Sequence, residues 1–137
     1  MRTPSEQYDH VFADNLISSI GRSKAKLLEK GHTKFALIED DGRVCLVGSY
    51  DYSNWNTIVE LDSILAHLAV ERGYNGGTLT SPSGLNTFHY SLKDAHIYFN
   101  NHPDTTINDV LALLDDAILY VKEHIMSRNA QGVLREI

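Results

Sequence analysis

One cysteine and seven histidines are the residues of this sequence most able to do chemistry. Cys45, together with His89 or His96 and an asparagine or aspartate, has the composition of a Cys-His-Asn nucleophilic site. The chemistry would be hydrolysis or group transfer through a thiolate. A reactive thiol needs exposure and an electropositive setting. Cys45 instead lies in an apolar run between Val44 and Leu46, and free cysteine is among the most buried residue types. The residues therefore favour a structural thiol and no catalytic chemistry, with a Cys-dependent hydrolase or transferase as the alternative. The histidines form i,i+4 pairs with other polar groups: His10 with Asp14, His67 with Glu71, His96 with Asn100. No His-x-x-x-His pair occurs, so no metal site and no cofactor is expected.

A second set of residues is suited to binding. Tyr50, Tyr52 and Trp55 alternate with Asp51, Ser53 and Asn54, and aromatic rings with polar tips are enriched in binding hot spots. The stretch 73–87 and the following His89 and Tyr90 make another aromatic and polar surface. Were the two to meet, they would line a pocket that stacks a small planar ligand such as a nucleotide. The bland alternative is that these aromatics lid a small core. Asn100, Asn101, His102 and Asp104 form a polar knot before a helix. Such a knot is either an anion site at helix-terminal N–H groups or, the favoured reading, a turn with its cap. Gly76-Gly77 is not followed by Lys-Ser/Thr, and neither a Gly-x-Gly-x-x-Gly nor a Gly-x-Ser-x-Gly motif occurs.

The elements that must position these residues are legible from periodicity. Thr3 and Pro4 suit a helix start. Tyr8, Val11, Phe12, Leu16, Ile20 and Leu27 then recur on one face, and Gly31 stops the run. Two β-compatible runs, 34–39 and 43–48, flank Asp40-Asp41-Gly42, which predicts a hairpin. Residues 49–56 read as a loop. Thr57-x-x-Glu60 predicts a capping box opening a second helix to about Arg72. From Gly73 to Thr87 turn residues predominate and a long loop is expected, in which Thr78-Leu79-Thr80 is the one candidate for an extra strand. A short helix from Ser91 to near Phe99 and a long one from Thr106 to about Arg128 complete the chain. The last helix repeats Ile107, Leu111, Leu114, Ile118, Val121 and Ile125 at helical spacing. That stripe would serve core packing or, less commonly, a homo-oligomer contact.

The expectation is a helix-rich α+β fold in a single domain, 1–137, with three long helices, one short helix and a β-hairpin at about 34–48. Residues 129–137 are expected to be a frayed tail. The 137 residues carry 12 Lys and Arg against 18 Asp and Glu, a net charge of −6. Nucleic acid is thus a poor default partner, because nonspecific binding rests on cations that neutralise phosphates. No apolar run approaches the roughly 20 residues that span a bilayer, and Met1–Glu6 lacks the apolar core of a signal peptide. A cytoplasmic protein is expected. The charge is uneven: residues 1–43 are neutral overall, with Arg22, Lys24, Lys26, Lys30 and Lys34 bunched together, and the rest is acidic.

Two stretches carry a resemblance: Gly42-Arg-Val-Cys45-Leu-Val-Gly48-Ser49, and Phe99-Asn100-Asn101 followed by Thr105-Thr106-x-x-Asp109-Val110-x-x-Leu113-Leu114-x-x-Ala117. Over about 25–120 the chain resembles a family of small uncharacterised proteins of actinobacteria and phages. Asn101 stands where that family usually has Asp, and Phe99 where it has Trp. The resemblance implies a bacterial or phage source and an accessory role in phage–host conflict. The favoured expectation is a small binding protein, a modulator of a host or defence component acting by occlusion or ligand capture. Its partner would be a protein or a small planar ligand.

Overall fold

The computed structural model describes residues 4–126, with side chains described from His10 to Ile125. Thr3, the Tyr8 side chain and the 129–137 tail lie outside the described residues. The elements are α1 (Pro4–Lys30), α2 (Trp55–Glu71), β1 (Gly77–Thr80), β2 (Thr87–Tyr90), α3 (Ala95–Asn101) and α4 (Ile107–Val121). The helix-rich α+β class is as expected. α1 packs on α4 and α2, and α2 also packs on α3 and α4. Leu16, Ile20 and Leu27 of α1, Leu61 and Leu65 of α2, and Leu113 and Leu114 of α4 are fully buried between them. The buried line of α4 runs Val110, Leu113, Leu114, Ala117 and Val121. Ile107, Leu111 and Ile118 flank it, half-buried. After Val121 the helix widens into one π-type turn, Lys122–Met126.

Three expectations are corrected. The hairpin is not at 34–48. The Asp40-Asp41-Gly42 turn does form: Gly42 N–H donates to Glu39 O at 2.9 Å and Glu39 N–H to Arg43 O at 2.8 Å. Gly42 adopts φ +93°, which glycine tolerates without strain. The flanking runs do not continue as a ladder. Val44 instead pairs with Ile38 on one side and with His32 on the other. The cause is competition for backbone groups. Phe35 N–H donates to Asn101 Oδ1 (2.8 Å), and Leu46 N–H to Asn100 Oδ1 (3.0 Å). The two-stranded sheet forms instead within and beyond the expected long loop, as β1 and β2 in the register Gly77↔Tyr90 to Thr80↔Thr87.

α2 starts earlier than the Thr57–Glu60 box. Its N-cap is Asn54, whose side-chain oxygen accepts from Thr57 N–H at 3.3 Å. Asparagine is at least as good a cap as threonine, so Thr57 falls inside the first turn and is buried. The 49–56 loop is correspondingly shorter, between a 3-10 turn at Val47–Ser49 and Trp55. α3, preceded by a 3-10 turn at Leu92–Asp94, runs through Asn101 and stops at His102, just before Pro103. Pro103 disfavours helical backbone at the residue before it. Asn100 and Asn101 are therefore in a last helical turn, not in a loop.

Candidate functional site

The last turn of α3 joins three separate stretches of chain. Asn100 is 2% exposed, and both of its polar atoms are fully used. Oδ1 accepts from Leu46 N–H and from His32 Nε2 (2.8 Å), and Nδ2 donates to Thr33 O (3.3 Å) and Asn101 Oδ1 (2.9 Å). Because the acceptor is an amide oxygen, His32 must carry its proton on Nε2. Asn101 is 6% exposed. Its Oδ1 receives the Phe35 N–H, which fixes the amide's orientation, and Nδ2 donates to the Tyr90 hydroxyl at 2.9 Å. The 31–49 segment, α3 and β2 are thereby held around one point.

Beside that point lies a cleft of about 220 Å3. Phe35, Ala36 and Leu37 form one side, Phe88 and Tyr90 another, and Cys45, Val47, Ile97 and Asn101 complete it. Phe35 adopts φ +64°, the one non-glycine residue with positive φ among the described residues. For a bulky residue this is a strained conformation. Its ring lies 5.7 Å from that of Phe88, and Phe88 stacks on Tyr90 at 6.4 Å. Gly48 lets Leu37 come close: a Cβ there would stand 2.0 Å from the Leu37 carbonyl oxygen. Burial pushes the Tyr90 hydroxyl above its ordinary value, against the lowering effect of Asn101. It therefore stays protonated.

Cys45 forms part of this cleft, yet is nearly buried. Burial pushes its thiol up, outweighing the bond from Gly48 N–H to Sγ at 3.3 Å. No histidine bonds to it. His89, on the exposed hairpin, has Nδ1 at 3.1 Å from Thr78 Oγ1. His96 is fully buried and pairs through Nε2 with Asp62 Oδ1 at 2.7 Å, while its Nδ1 has no hydrogen-bond partner among the described residues. Tyr50 donates to the same Asp62 oxygen at 3.0 Å. Burial pushes the Asp62 carboxyl up, but His96 and the Tyr50 bond outweigh it and hold the carboxyl below its ordinary value. This Tyr50–Asp62–His96 network clamps α3 and the 50–53 turn to α2.

The remaining candidates are dispersed. Tyr50 is buried. Tyr52 is exposed, its hydroxyl donating to Val47 O at 2.6 Å, and Trp55 is 70% exposed at the start of α2. None of these three lines the cleft; Tyr90 and Asn101 do. His102 caps α3, and its ring lies 5.3 Å from Tyr74 and 5.8 Å from Tyr98. A larger, open groove of about 600 Å3 runs along α2 and α4. Within it His67 bonds to Glu71 at 3.0 Å and Arg72 pairs with Asp116 at 2.5 Å, as on a solvated face. Among the described residues no group of three His, Cys, Asp or Glu side chains is placed to hold a metal ion. No described helix is long and apolar enough to cross a membrane.

Sequence reasoning missed Phe35, Leu37, Val47, Phe88 and Ile97. The alternation Thr87-Phe88-His89-Tyr90 is a strand signal that would have put Phe88 and Tyr90 on one face. Phe35 has no comparable local signal. Residues 17–119 match the model of a family of unknown function, DUF6197. No curated protein and no solved structure matches the chain.

Proposed function

The chain belongs to DUF6197, a family of unknown function, and from its own geometry we propose that it is a small binding protein that captures one flat, apolar group in the cleft beside β2 and α3. The observation that carries this reading is the strained wall. Phe35 is held at φ +64° opposite Phe88 and Tyr90. A residue in such a conformation costs about 1–3 kcal/mol, and such outliers cluster at ligand clamps and switch regions. The cleft is smaller than the roughly 300–1,000 Å3 of drug-sized sites, so its size suits a single ring. Capture rather than turnover fits a thiol kept neutral by burial with no histidine bonded to it. We extend the reading to a cytoplasmic modulator of a host or defence component, phage- or bacterium-encoded, working as one domain by occlusion or capture.

The test is an NMR titration of the protein with a set of small aromatic fragments. The methyl signals of Leu37, Val47 and Ile97 should move, and an Ala36→Trp variant, which fills the cleft, should lose the response. Shifts confined to other surfaces, or an unchanged response in Ala36→Trp, would sink the proposal. A second reading, a protein partner that inserts an apolar side chain, is favoured by the exposed apolar rim. Leu37 is 59% and Ile38 61% exposed, and exposed apolar patches mark contact sites. Ile38→Asp, outside the cleft lining, would abolish binding of such a partner and leave fragment binding intact.

A further inference from the structure

The polar groups of the cleft state what its occupant must offer. Asn101 Nδ2 has two hydrogens and gives one to Tyr90. The amide cannot be turned over, because Phe35 N–H needs Oδ1 where it is. The Tyr90 hydroxyl accepts from Asn101, so its own hydrogen is left to donate. Neither the second Asn101 hydrogen nor the Tyr90 hydroxyl hydrogen has a protein acceptor among the described residues. Asn101 and Tyr90 thus offer two spare donors to the cleft. Among the described residues no Lys, Arg, His, Asp or Glu lines the cleft, and nearby Lys34 is committed to His102 O at 2.5 Å.

Resting on the binding reading above, we propose that the occupant is an uncharged planar heteroaromatic ring that presents hydrogen-bond acceptors to Tyr90 and Asn101. Its ring stacks against Phe35 and Phe88. This is the chemistry of a nucleobase such as cytosine, whose ring nitrogen and carbonyl are adjacent acceptors, and not that of a hydrocarbon or of an anion. The phosphate of a nucleotide gains nothing at the cleft, because no cation lines it.

The experiment titrates the full chain with four probes, pyridazine, benzene, cytosine and cytidine monophosphate, following the Val47 and Ile97 methyls and the Asn101 side-chain amide by NMR. Pyridazine and benzene have nearly the same size and differ in two adjacent acceptors. Pyridazine and cytosine should bind about three- to tenfold more tightly than benzene, as expected for hydrogen bonds of ordinary net strength. That preference should disappear in Tyr90→Phe, and cytidine monophosphate should bind no more tightly than cytosine. Asn101→Asp, which keeps the acceptor for Phe35 and removes the donors, should lose the preference as well and serves if Tyr90→Phe does not fold. Benzene binding as tightly as pyridazine, a preference that survives both variants, or a large gain from the phosphate overturns the ligand class while leaving the cleft as a binding site. No response at the cleft to any of the four probes overturns both.

Discussion

Asn100 closes a small polar knot whose members come from positions 54 to 68 residues apart. Replacing it by alanine leaves Leu46 N–H and Thr33 O without partners in the interior, at about 1–3 kcal/mol for each buried group. Asn100→Ala should therefore lower stability by about 3 kcal/mol, read as the urea midpoint at constant slope. A loss under about 1 kcal/mol would mean that water replaces the side chain. His32 makes the same knot sensitive to acid. Burial pushes its imidazole below the ordinary value of about 6.5, with Lys34 acting in the same direction and the Asn100 bond opposing them. The folded state then binds fewer protons than the unfolded chain below that value, so stability rises with pH there. The contribution is complete above about 6.5 and is lost as pH falls through the lowered folded value. Between pH 7.5 and 5.0 the wild type should lose more stability than His32→Gln, which keeps a donor and does not titrate; equal losses would remove His32 from the account. At Cys45, iodoacetamide should label the native protein more slowly than the urea-unfolded chain. Faster native labelling would show a reactive thiol and restore the enzyme alternative.

At the scale of elements, local signals located the helices, and one glycine shows where local reading stops. Gly21 sits in the uninterrupted middle of α1, and a Cβ added there would meet nothing within 4 Å. Gly48 has the Leu37 carbonyl against it. Gly21→Ala should stabilise by about 1 kcal/mol, the helical propensity difference. Gly48→Ala should cost on the order of 3 kcal/mol, because the 36–38 backbone must move. Thermal unfolding of both variants checks the opposite signs, and a shift in the same direction would contradict the close approach of the two loop arms. The cap of α4 is reciprocal: Asp109 N–H donates to Thr106 Oγ1 at 3.3 Å, and Thr106 N–H to Asp109 Oδ2 at 2.8 Å. Thr106 was readable as a cap from its place before the strongest apolar repeat. Asn54 lies within the expected 49–56 loop, and its role as cap depends on where the chain leaves the Val47–Ser49 turn.

At the scale of the whole molecule, the uneven charge acquires a use. The bunched cations of α1 reach across to the rest of the chain. Arg22 pairs with Asp51 at 2.6 Å, Lys24 pairs with Asp115, and Lys26 donates to Gly48 O at 3.1 Å. Lys34, just beyond α1, holds the C-terminal end of α3. The basic cluster is therefore largely consumed within the fold. Exposed pairs of this kind contribute about 0–1 kcal/mol and are screened by salt. A double-mutant cycle on Lys24 and Asp115 should give a coupling below about 1 kcal/mol at low salt that fades in 0.5 M NaCl. A larger, salt-insensitive coupling would make the docking of α1 electrostatic rather than apolar.

The sequence alone determined the existence of the four helices, the stop of α1 at Gly31, and the Asp40-Asp41-Gly42 turn. Each of these depends on residues a few positions apart: apolar repeats, caps, a glycine or a proline. Only the tertiary structure decided which β-compatible runs pair. The 34–39 and 43–48 runs have the better strand composition, yet the side chains of Asn100 and Asn101 take the Leu46 and Phe35 N–H groups that a ladder would have used. The same long-range bonds bring Phe35 beside Phe88 and create the cleft. Contacts between residues more than 50 positions apart leave no periodicity in the chain, so the sequence singled out Tyr90 and Asn101 of the cleft but not Phe35, Leu37, Val47 or Ile97.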